Sequence, residues 1–343
     1  EAPAPGSILY GILAAAWALS FLLAWKISRP VDTAPVPAEE DLLRETARRT
    51  WRFFRDFSIR ENNWLCPDNY QITSKQKITH KTSPTNIGLQ FLSILSARDF
   101  GFETLSTTLD NIENLLYTVA TLPKWNGHLY NWYNIRTMEV LPPQYISTVD
   151  SGNFFGHMIT LKNGLLEQKK NPVIPDSILS ELKYRMKRCG IETGPDWNFE
   201  TYGQFAEALD QISTRTAGGD GRSWEEFRMA EDLTYLKESL RTEVELFRLE
   251  DRCFSDKPTL QQLAQEKYRY AAELIDAIDG ICEVIDNMLE AADFSVLYSK
   301  KRMLFHIGYH VSSQTPDLGC YDLIASESLL TSFLAVARGE VPV

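Results

Sequence analysis

The sequence has few cysteines, and none of the close pairs that build metal sites or redox motifs. Five cysteines occur among 343 residues, and no two of them are separated by only two residues. An odd, widely spaced set argues against a disulfide framework and against a structural zinc site. The simpler interpretation is a folded part that is kept in a reducing, cytosolic compartment. The five are Cys66, Cys189, Cys253, Cys282 and Cys320.

Basic charge is also in deficit. Lysine and arginine total 35 against 46 acidic residues, which gives a net charge of −11. Nucleic-acid binding is therefore not expected, because it depends on a positive surface that neutralises phosphates. The sequence also lacks a Walker loop, a dinucleotide-binding glycine fingerprint, a G-x-S-x-G elbow and the protein-kinase motifs. No period of roughly 20–50 residues repeats, which disfavours a simple solenoid.

One long run without charged residues lies near the N-terminus. Residues 7–25 contain only uncharged and mostly apolar side chains, and about 20 such residues suffice to span a membrane. Lys26 and Arg29 follow at once, whereas no basic residue precedes the run. The positive-inside rule therefore predicts a membrane helix over residues 7–26 with its C-terminal side in the cytoplasm. A signal peptide would need a basic region before the run, and a buried core helix is the other alternative.

The remainder of the chain has mainly helical periodicity. The chain begins with Glu1 and not with Met, so we expect it to be a piece of a longer polypeptide. The proline-rich residues 30–38 predict a stiff linker, and residues 214–221 predict a flexible break. Helices are predicted over 39–57, 85–100, 103–121, 153–169, 176–188, 198–212, 223–249, 258–291 and 321–338. Short strands are predicted over 125–145, with a hairpin over 293–311. The pattern predicts an all-α architecture with few strands, in which an α/α toroid remains open.

Short polar and aromatic runs interrupt the helical patterns in four places. They are H-K-T-S-P-T-N-I-G-L at 80–89, Y-N-W-Y-N at 130–134, S-T-V-D-S-G-N at 147–153 and G-C-Y-D-L-I-A-S-E at 319–327. Loops on a helical scaffold are common places for binding residues. Indole and phenol faces beside amide, carboxyl and imidazole groups suit a polar, ring-shaped ligand such as a sugar. For Trp132 and Tyr133, however, an aromatic core is the commoner use.

Three carboxylates lie in positions where chemistry is plausible. Glycosidic chemistry needs two carboxyl groups, one to supply a proton and one to act as base or nucleophile. The three are Asp150, Asp322 and Glu327. Asp150 immediately precedes a predicted helix, where an Asp can satisfy free backbone amides as an N-cap and needs no other role. Both roles stay open for Asp150.

Glu327 falls within the apolar helix predicted over 321–338. A carboxyl group in apolar surroundings has a raised pKa, which suits a general acid. We therefore predict a half-buried Glu327, with a solvated surface position as the alternative. His306 and His310 are four residues apart but enclose Gly308 in a predicted strand, so they indicate a metal pair only weakly.

Several longer motifs resemble a known family. They are T-A-R-R-T-W-R-F-F at 46–54, N-W-L-C-P-D-N-Y at 63–70, the run at 80–89, Y-N-W-Y…V-D-S-G-N at 130–153 and L-F-H-I-G-Y…Y-D-L-I-A-S-E at 304–327. Together they resemble the glucoamylase-like region in the middle of the cyclic β-1,2-glucan synthases. The apolar run that ends in W-K-I-S-R-P resembles the last membrane helix before that region. The resemblance covers residues 39–343, most thinly over 172–290.

The resemblance implies an incomplete (α/α)6-type toroid, preceded by one transmembrane helix, that binds linear β-1,2-glucan. In the complete protein this region would perform retaining transglycosylation and close the glucan into a ring. Glu327 matches the glutamate of the family's Y-D-L-L-A-S-E motif, so the resemblance assigns it the acid/base role. The partner carboxylate is expected beyond Val343, and the chain alone is expected to be inactive. Substrate binding is assigned to His80, Asn86, Trp132, Tyr133, Asp150, Asn153, Tyr321 and Asp322.

The resemblance also implies partners and a location. We expect a membrane helix with its flanks over 1–29, a linker over 30–38 and a glucoamylase-like domain over 39–343, truncated at its C-terminal end. The expected setting is the bacterial inner membrane, with the helical domain on the cytoplasmic side and the missing domains of the same polypeptide as partners. No cofactor is expected here, since UDP-glucose would serve a glycosyltransferase region upstream.

Two other functions are compatible with the residues. One is a β-1,2-glucanase or glucoamylase-like hydrolase, and the other is a non-catalytic, membrane-tethered carbohydrate-binding module. The chain also departs from the family, because Leu318-Gly319-Cys320 stands where the family usually has Asn-Ser-Tyr. That departure leaves the activity of the complete protein open.

Overall fold

A computed structural model describes most of the chain in two compact units. The units are Glu1–Ala47 and Arg48–Val343. Described residues are 5–29, 37–73, 75, 77–192, 197–212, 223–322 and 327–342, without the side chains of 5–9, 12 and 37–41. Most of the predicted linker and the predicted break at 214–221 lie outside these residues.

The first unit contains α1, Pro5–Ile27, and the beginning of α2, Pro37–Phe57. Helix α1 exposes large apolar side chains such as Tyr10, Trp17 and Phe21. The described residues nevertheless include no helix that is long and apolar enough to cross a membrane. The membrane helix predicted over residues 7–26 is therefore helical but not confirmed as a membrane span.

Nine further helices are described in the second unit, and side-chain caps explain where most of them begin. They are α3 Pro84–Asp99, α4 Leu105–Thr121, α5 Thr148–Gln168, α6 Asp176–Arg188, α7 Tyr202–Gln211, α8 Trp224–Leu246, α9 Leu260–Gln265, α10 Arg269–Ala291 and α11 Leu329–Ala337. The hydroxyl groups of Ser83, Thr104 and Ser147 accept from backbone amides in the first turns of α3, α4 and α5, which satisfies donors that have no intrahelical partner.

The described strands are short and form four small antiparallel sheets. They are β1 Lys81–Thr82, β2 Lys124–Trp125, β3 His128–Leu129, β4 Tyr133–Asn134, β5 Tyr145–Ser147, β6 Tyr298–Ser299, β7 Leu304–Phe305, β8 Gly308–His310 and β9 Thr315–Pro316. Strand β1 pairs with β4, β2 with β3, β6 with β7, and β8 lies between β5 and β9. The prediction of a mostly helical chain with a few short strands is confirmed, whereas the toroid stays a prediction.

Three helix predictions were wrong in detail. The single helix predicted over 258–291 is two helices, because Lys267 between α9 and α10 adopts a left-handed backbone with φ of 68°. Helix α5 begins at Thr148, several residues earlier than predicted. The last helix begins at Leu329 and not at 321, with 323–326 outside the described residues.

Helix α5 lies at the centre of the packing in the second unit. It contacts α3, α10 and α11, while α8 contacts α4, α6 and α7. Phe154, Phe155 and Met158 of α5 are fully buried or nearly so, and burying each such side chain contributes roughly 1.5–3 kcal/mol.

Small residues on α5 allow its neighbours to approach closely. An added Cβ at Gly152 would lie 1.9 Å from Thr331 Oγ1 and 2.9 Å from Thr331 Cα. Thr331 Oγ1 also donates to the Thr148 carbonyl at 2.9 Å. The N-terminal ends of α5 and α11 are therefore held side by side.

Buried ion pairs join α2 to α6 and α8. Arg48 binds Glu181 through Nε and a second nitrogen at 2.8 Å each, and Arg185 Nε binds the same carboxylate at 2.8 Å. Burial alone would raise the pKa of Glu181, but the two guanidinium groups outweigh it and lower that pKa. Asp232 of α8 binds Arg52 at 2.6 Å and Arg55 at 2.8 Å. The interior of this unit is thus fixed by paired charges as well as by apolar contacts.

Candidate functional site

Strand pairing brings together two stretches that are far apart in the sequence. In the three-stranded sheet, β5 pairs with β8 in a register that places Tyr145 opposite His310 and Ser147 opposite Gly308. The loop before β5 is attached to the same sheet, because the backbone amide of Asn131 donates to the Tyr145 carbonyl at 2.8 Å. The polar runs near 130–153 and 304–322 therefore meet at one sheet.

Asp317, directly after β9, organises the face of this sheet that carries Tyr145 and His310. The Tyr145 hydroxyl donates to Asp317 Oδ2 in a short hydrogen bond, and His310 Nε2 lies 3.2 Å from Oδ1. The backbone of Asp317 is also fixed, since its amide donates to the Gly308 carbonyl at 3.0 Å and His306 Nδ1 lies 2.7 Å from its carbonyl oxygen. The two histidines thus contact Asp317.

Gly308 is what allows Tyr145 to lie flat against β8. An added Cβ at Gly308 would come within 2.2 Å of the Tyr145 hydroxyl oxygen and 2.3 Å of Cζ. Sequence reasoning missed both Tyr145 and Asp317. No local signal marks them, because their roles arise from a strand pairing across most of the domain.

Carboxylate charges act on two tyrosines near this sheet, Tyr321 and Tyr145. Burial raises the pKa of Tyr321, and the negative charges of Glu327, Asp150 and Asp317 raise it further. Burial is also the largest cause that raises the pKa of Tyr145. The hydrogen bond and charge of Asp317, and then the charges of Tyr321 and Asp150, raise it further. The charges act in the same direction as burial on both tyrosines, because a phenolate is disfavoured beside other negative groups. Asp150, Tyr321 and Glu327, predicted separately from the sequence, are therefore near enough to interact electrostatically.

The surroundings of Glu327 differ from the prediction. Glu327 is exposed and lies in a turn before Ser328, the N-cap of α11. It is neither within a helix nor half-buried, because α11 starts later than the apolar pattern suggests. The side chain is consequently accessible to a ligand above the carboxylate cluster.

Asp150 lies in the first turn of α5 but is not its cap. Ser147 Oγ accepts from the Asp150 amide at 3.2 Å, so the cap interpretation of Asp150 was wrong. With the Asn131 amide oriented to satisfy both neighbours, its nitrogen donates to Asp150 Oδ2 at 3.2 Å and its oxygen accepts from Trp132 Nε1 at 3.1 Å. The Asp150 carboxylate is thereby connected to the indole of Trp132.

Trp132 is half-buried and has a cation beside its ring. Lys81 Nζ of β1 lies 3.4 Å from the ring centroid of Trp132, a favourable cation–π distance. His80, which precedes Lys81, is half-buried. Burial lowers the pKa of His80, and the charge of Arg136 lowers it further. His80 Nδ1 has no hydrogen-bond partner in the described part of the chain.

The remaining predicted binding residues have other surroundings. Tyr133 is fully buried, and its hydroxyl donates to the Pro123 carbonyl at 2.6 Å, so it is a core residue that a ligand does not reach. Asn86 Nδ2 donates to Asp68 Oδ1 at 3.0 Å. Asn153 Nδ2 donates to Thr85 Oγ1 at 3.3 Å, which joins α5 to α3. Asp322 is exposed beside Tyr321.

The described residues contain no group of three or more His, Cys, Asp and Glu side chains that could hold a metal ion. What the site offers instead is an open set of carboxylates, phenol hydroxyls, an indole and an amide. This arrangement can accept hydrogen bonds from several hydroxyl groups at once and stack on a ring face.

Comparison with known proteins finds a relative of this chain by sequence. The chain is 32% identical, over 357 aligned residues and 95% of its length, to the cyclic beta-(1,2)-glucan synthase NdvB of Rhizobium meliloti strain 1021. It spans only 12% of the length of that protein. An endo-beta-1,2-glucanase from Chitinophaga pinensis matches with a TM-score of 0.46 and 10% identity, over 88% of this chain and 48% of the glucanase chain. No family model matches the sequence. The resemblance indicated by the motifs is confirmed: the chain is related, over nearly its whole length, to part of a cyclic β-1,2-glucan synthase.

Proposed function

We propose that this chain binds linear β-1,2-glucan as part of a cyclic β-1,2-glucan synthase. The observation that carries the proposal is the hydrogen-bonded connection of Asp150 through Asn131 to the Trp132 indole. The same carboxylate, with Asp317 and Glu327, acts on the nearby Tyr321 and raises its pKa. Carboxylates bind sugar hydroxyls through strong charge-assisted hydrogen bonds. Aromatic faces bind the C–H faces of pyranose rings. The relationship to a glucan synthase gives the substrate class.

In the complete protein, we assign Glu327 the acid/base role in retaining transglycosylation. An exposed carboxyl group at the edge of the cluster can reach the oxygen of a glycosidic bond and protonate it as the bond breaks. A retaining mechanism also needs a nucleophilic carboxylate about 5–5.5 Å away. Asp317 is a poor candidate because Tyr145 and His310 contact both of its oxygen atoms, and Asn131 already donates to Oδ2 of Asp150. We assign both to binding and positioning, and the nucleophile to another part of the synthase.

Incubation with linear β-1,2-glucan tests both halves of this proposal. The chain alone is expected to bind the glucan without cleaving or cyclising it, as measured by calorimetry and by product chromatography. Any cleavage or ring formation by the chain alone would contradict the missing nucleophile. In the full-length synthase, Glu327→Gln should abolish cyclisation. Glu238→Gln, at an exposed position on α8, should retain it.

Hydrolysis and simple binding are the alternative functions. A β-1,2-glucanase would give linear products from the full-length protein, whereas a synthase gives rings. A non-catalytic binding module would be favoured if Glu327→Gln left cyclisation unchanged in the full-length protein. The products therefore separate the three functions.

We further propose the surroundings that the family implies. Residues 7–26 would anchor the protein in the bacterial inner membrane, with the helical domain on the cytoplasmic side. Other domains of the same polypeptide would be its partners, and an upstream glycosyltransferase region would use UDP-glucose. Cell fractionation of the 343-residue chain with and without residues 1–29 tests the anchor. An unchanged membrane fraction after the deletion would argue against it.

A further inference from the structure

A cavity of about 230 Å³ lies beside the carboxylate cluster. It separates the β6–β7 hairpin from α11 and shares Tyr321 with the cluster. Its described lining residues are Tyr298, Met303, Leu304, Phe305, Tyr321, Asp322, Ser328, Ser332, Val336, Val341 and Pro342. The cavity and the carboxylate cluster are therefore adjacent, with one tyrosine belonging to both.

The walls combine aromatic rings with hydrogen-bonding groups. Tyr298 and Phe305 meet edge to face, with their ring centroids 5.3 Å apart, across the paired strands β6 and β7. Ser332 contributes a hydroxyl group from α11, and Asp322 contributes a carboxylate. A pyranose ring presents apolar C–H faces and polar hydroxyl edges, which match these two kinds of wall.

The Tyr298 hydroxyl group makes only a weak interaction. It donates to Met303 Sδ at 3.4 Å, and a thioether sulfur is a poor acceptor. Met303 is itself half exposed on the hairpin turn. A sugar hydroxyl that enters the cavity can therefore replace this contact at little energetic cost.

We propose that this cavity binds one glucosyl unit of the glucan, next to the unit held by the carboxylate cluster. The inference rests on the proposed function, which supplies the β-1,2-glucan. The volume of the cavity is below the range of roughly 300–1,000 Å³ typical of pockets that bind drug-sized ligands, so the cavity admits a single ring. Because Tyr321 borders both places, a chain of linked glucosyl units passes from one to the other without leaving the surface.

Two substitutions in the wall test the proposal with the 343-residue chain. Ser332→Ala removes one hydroxyl from a helix surface, and Tyr298→Ala removes one aromatic wall. Calorimetry should show affinity for a linear β-1,2-glucan oligomer falling about three- to tenfold for Ser332→Ala and about tenfold or more for Tyr298→Ala. Glucose, which can fill only one place at a time, should be affected less by both changes.

Phe333→Ala is the matched control, because Phe333 neighbours Ser332 on α11 but is 69% exposed and lies outside the cavity lining. The affinity of the Phe333→Ala variant for the oligomer should equal that of the unchanged chain. Thermal unfolding identifies a variant that fails to fold. If Tyr298→Ala does not fold, the milder Ser332→Ala change still tests the proposal.

The outcomes separate this inference from the proposed function. If the unchanged chain binds no β-1,2-glucan, the proposed function and the inference both fail. If it binds the oligomer but both wall variants bind equally well, only the inference fails.

Discussion

Asp317 is the residue on which the arrangement of this site depends most directly. It accepts from Tyr145, contacts His310 and is held through its own backbone by Gly308 and His306. A hydrogen bond to a charged acceptor contributes about 1.5–3 kcal/mol, and partial exposure of the Asp317 side chain, at 28%, reduces that figure. Tyr145 is therefore held in place before any ligand binds.

Tyr145→Phe should lower the free energy of unfolding by about 1–2 kcal/mol. The change leaves Asp317 without its hydroxyl donor while keeping the ring against Gly308. Urea unfolding measures the loss. Tyr309→Phe is the matched control on β8, because its hydroxyl makes no hydrogen bond to a described residue, and it should change stability by less than about 0.5 kcal/mol. Equal effects of the two changes would contradict the role of Asp317.

His128 should make the fold sensitive to acid. The ring is fully buried between Phe155 and Phe294, and its Nε2 lies 2.9 Å from the Asp293 carbonyl. Burial lowers the pKa of His128 from 6.5 to about 4, so the unfolded chain takes up the proton first. The stability that the neutral His128 contributes to the fold is complete above pH 6.5. As the pH falls towards 4, the free energy of unfolding decreases by about 3 kcal/mol.

His128→Gln should flatten this part of the stability profile, because glutamine does not titrate. Urea unfolding at several pH values between 7.5 and 4.5 measures the slope. If the unfolding free energies of the unchanged chain and of His128→Gln depended on pH in the same way, the proposed role of His128 would be refuted.

At this scale, the sequence indicates residue types better than it indicates surroundings. Asp150 and Tyr321 were predicted as site residues and lie in one cluster with Glu327. Tyr133 is in the core although it follows Trp132 in the same motif, because Tyr133 begins strand β4 and Trp132 lies in the loop before it. The exposure of Glu327 was mispredicted because an apolar run shows where a helix can form but not where it starts.

At the scale of elements, the contact between α5 and α11 determines where Glu327 lies. Gly152→Ala would place a methyl group against the backbone and side chain of Thr331. We expect a loss of about 1–3 kcal/mol in unfolding free energy, as overpacking commonly causes. Glucan binding should weaken as well, because α11 must move away from α5.

Gly280→Ala on α10 provides the opposite control. An added Cβ there meets nothing within 4 Å, so alanine should stabilise the helix by roughly 0.5–1 kcal/mol. Thermal unfolding of both variants, with calorimetry of glucan binding, separates packing from helix propensity. Stabilisation by Gly152→Ala would show that α11 does not require the close approach.

Caps and periodicity predict most helices, since both are local. The break between α9 and α10 escaped prediction because a lysine, and not a glycine, adopts the left-handed backbone there. The β5–β8 pairing was equally invisible, because its register depends on residues from two distant parts of the chain.

At the scale of the whole second unit, the charges of Glu181 and Asp232 hold α2, α6 and α8 together. Glu181→Gln removes the negative charge that the buried Arg48 and Arg185 share. Such a loss typically costs about 3–5 kcal/mol, and chemical unfolding should show it. Glu225→Gln breaks the exposed pair with Arg49 and should cost less than about 1 kcal/mol. Similar costs for both would mean that the buried cluster stabilises little.

The pairing of β5 with β8 also sets an order for folding. Thr148 Oγ1 donates to the His306 carbonyl, a contact between residues 158 positions apart. Closing so long a loop carries an entropic penalty that local helices do not have. During synthesis, α3, α4 and α5 can therefore form early, while the carboxylate cluster waits until Glu327 has emerged. An interrupted or proteolysed chain that stops before β8 would keep much of its helix content and have no site at all.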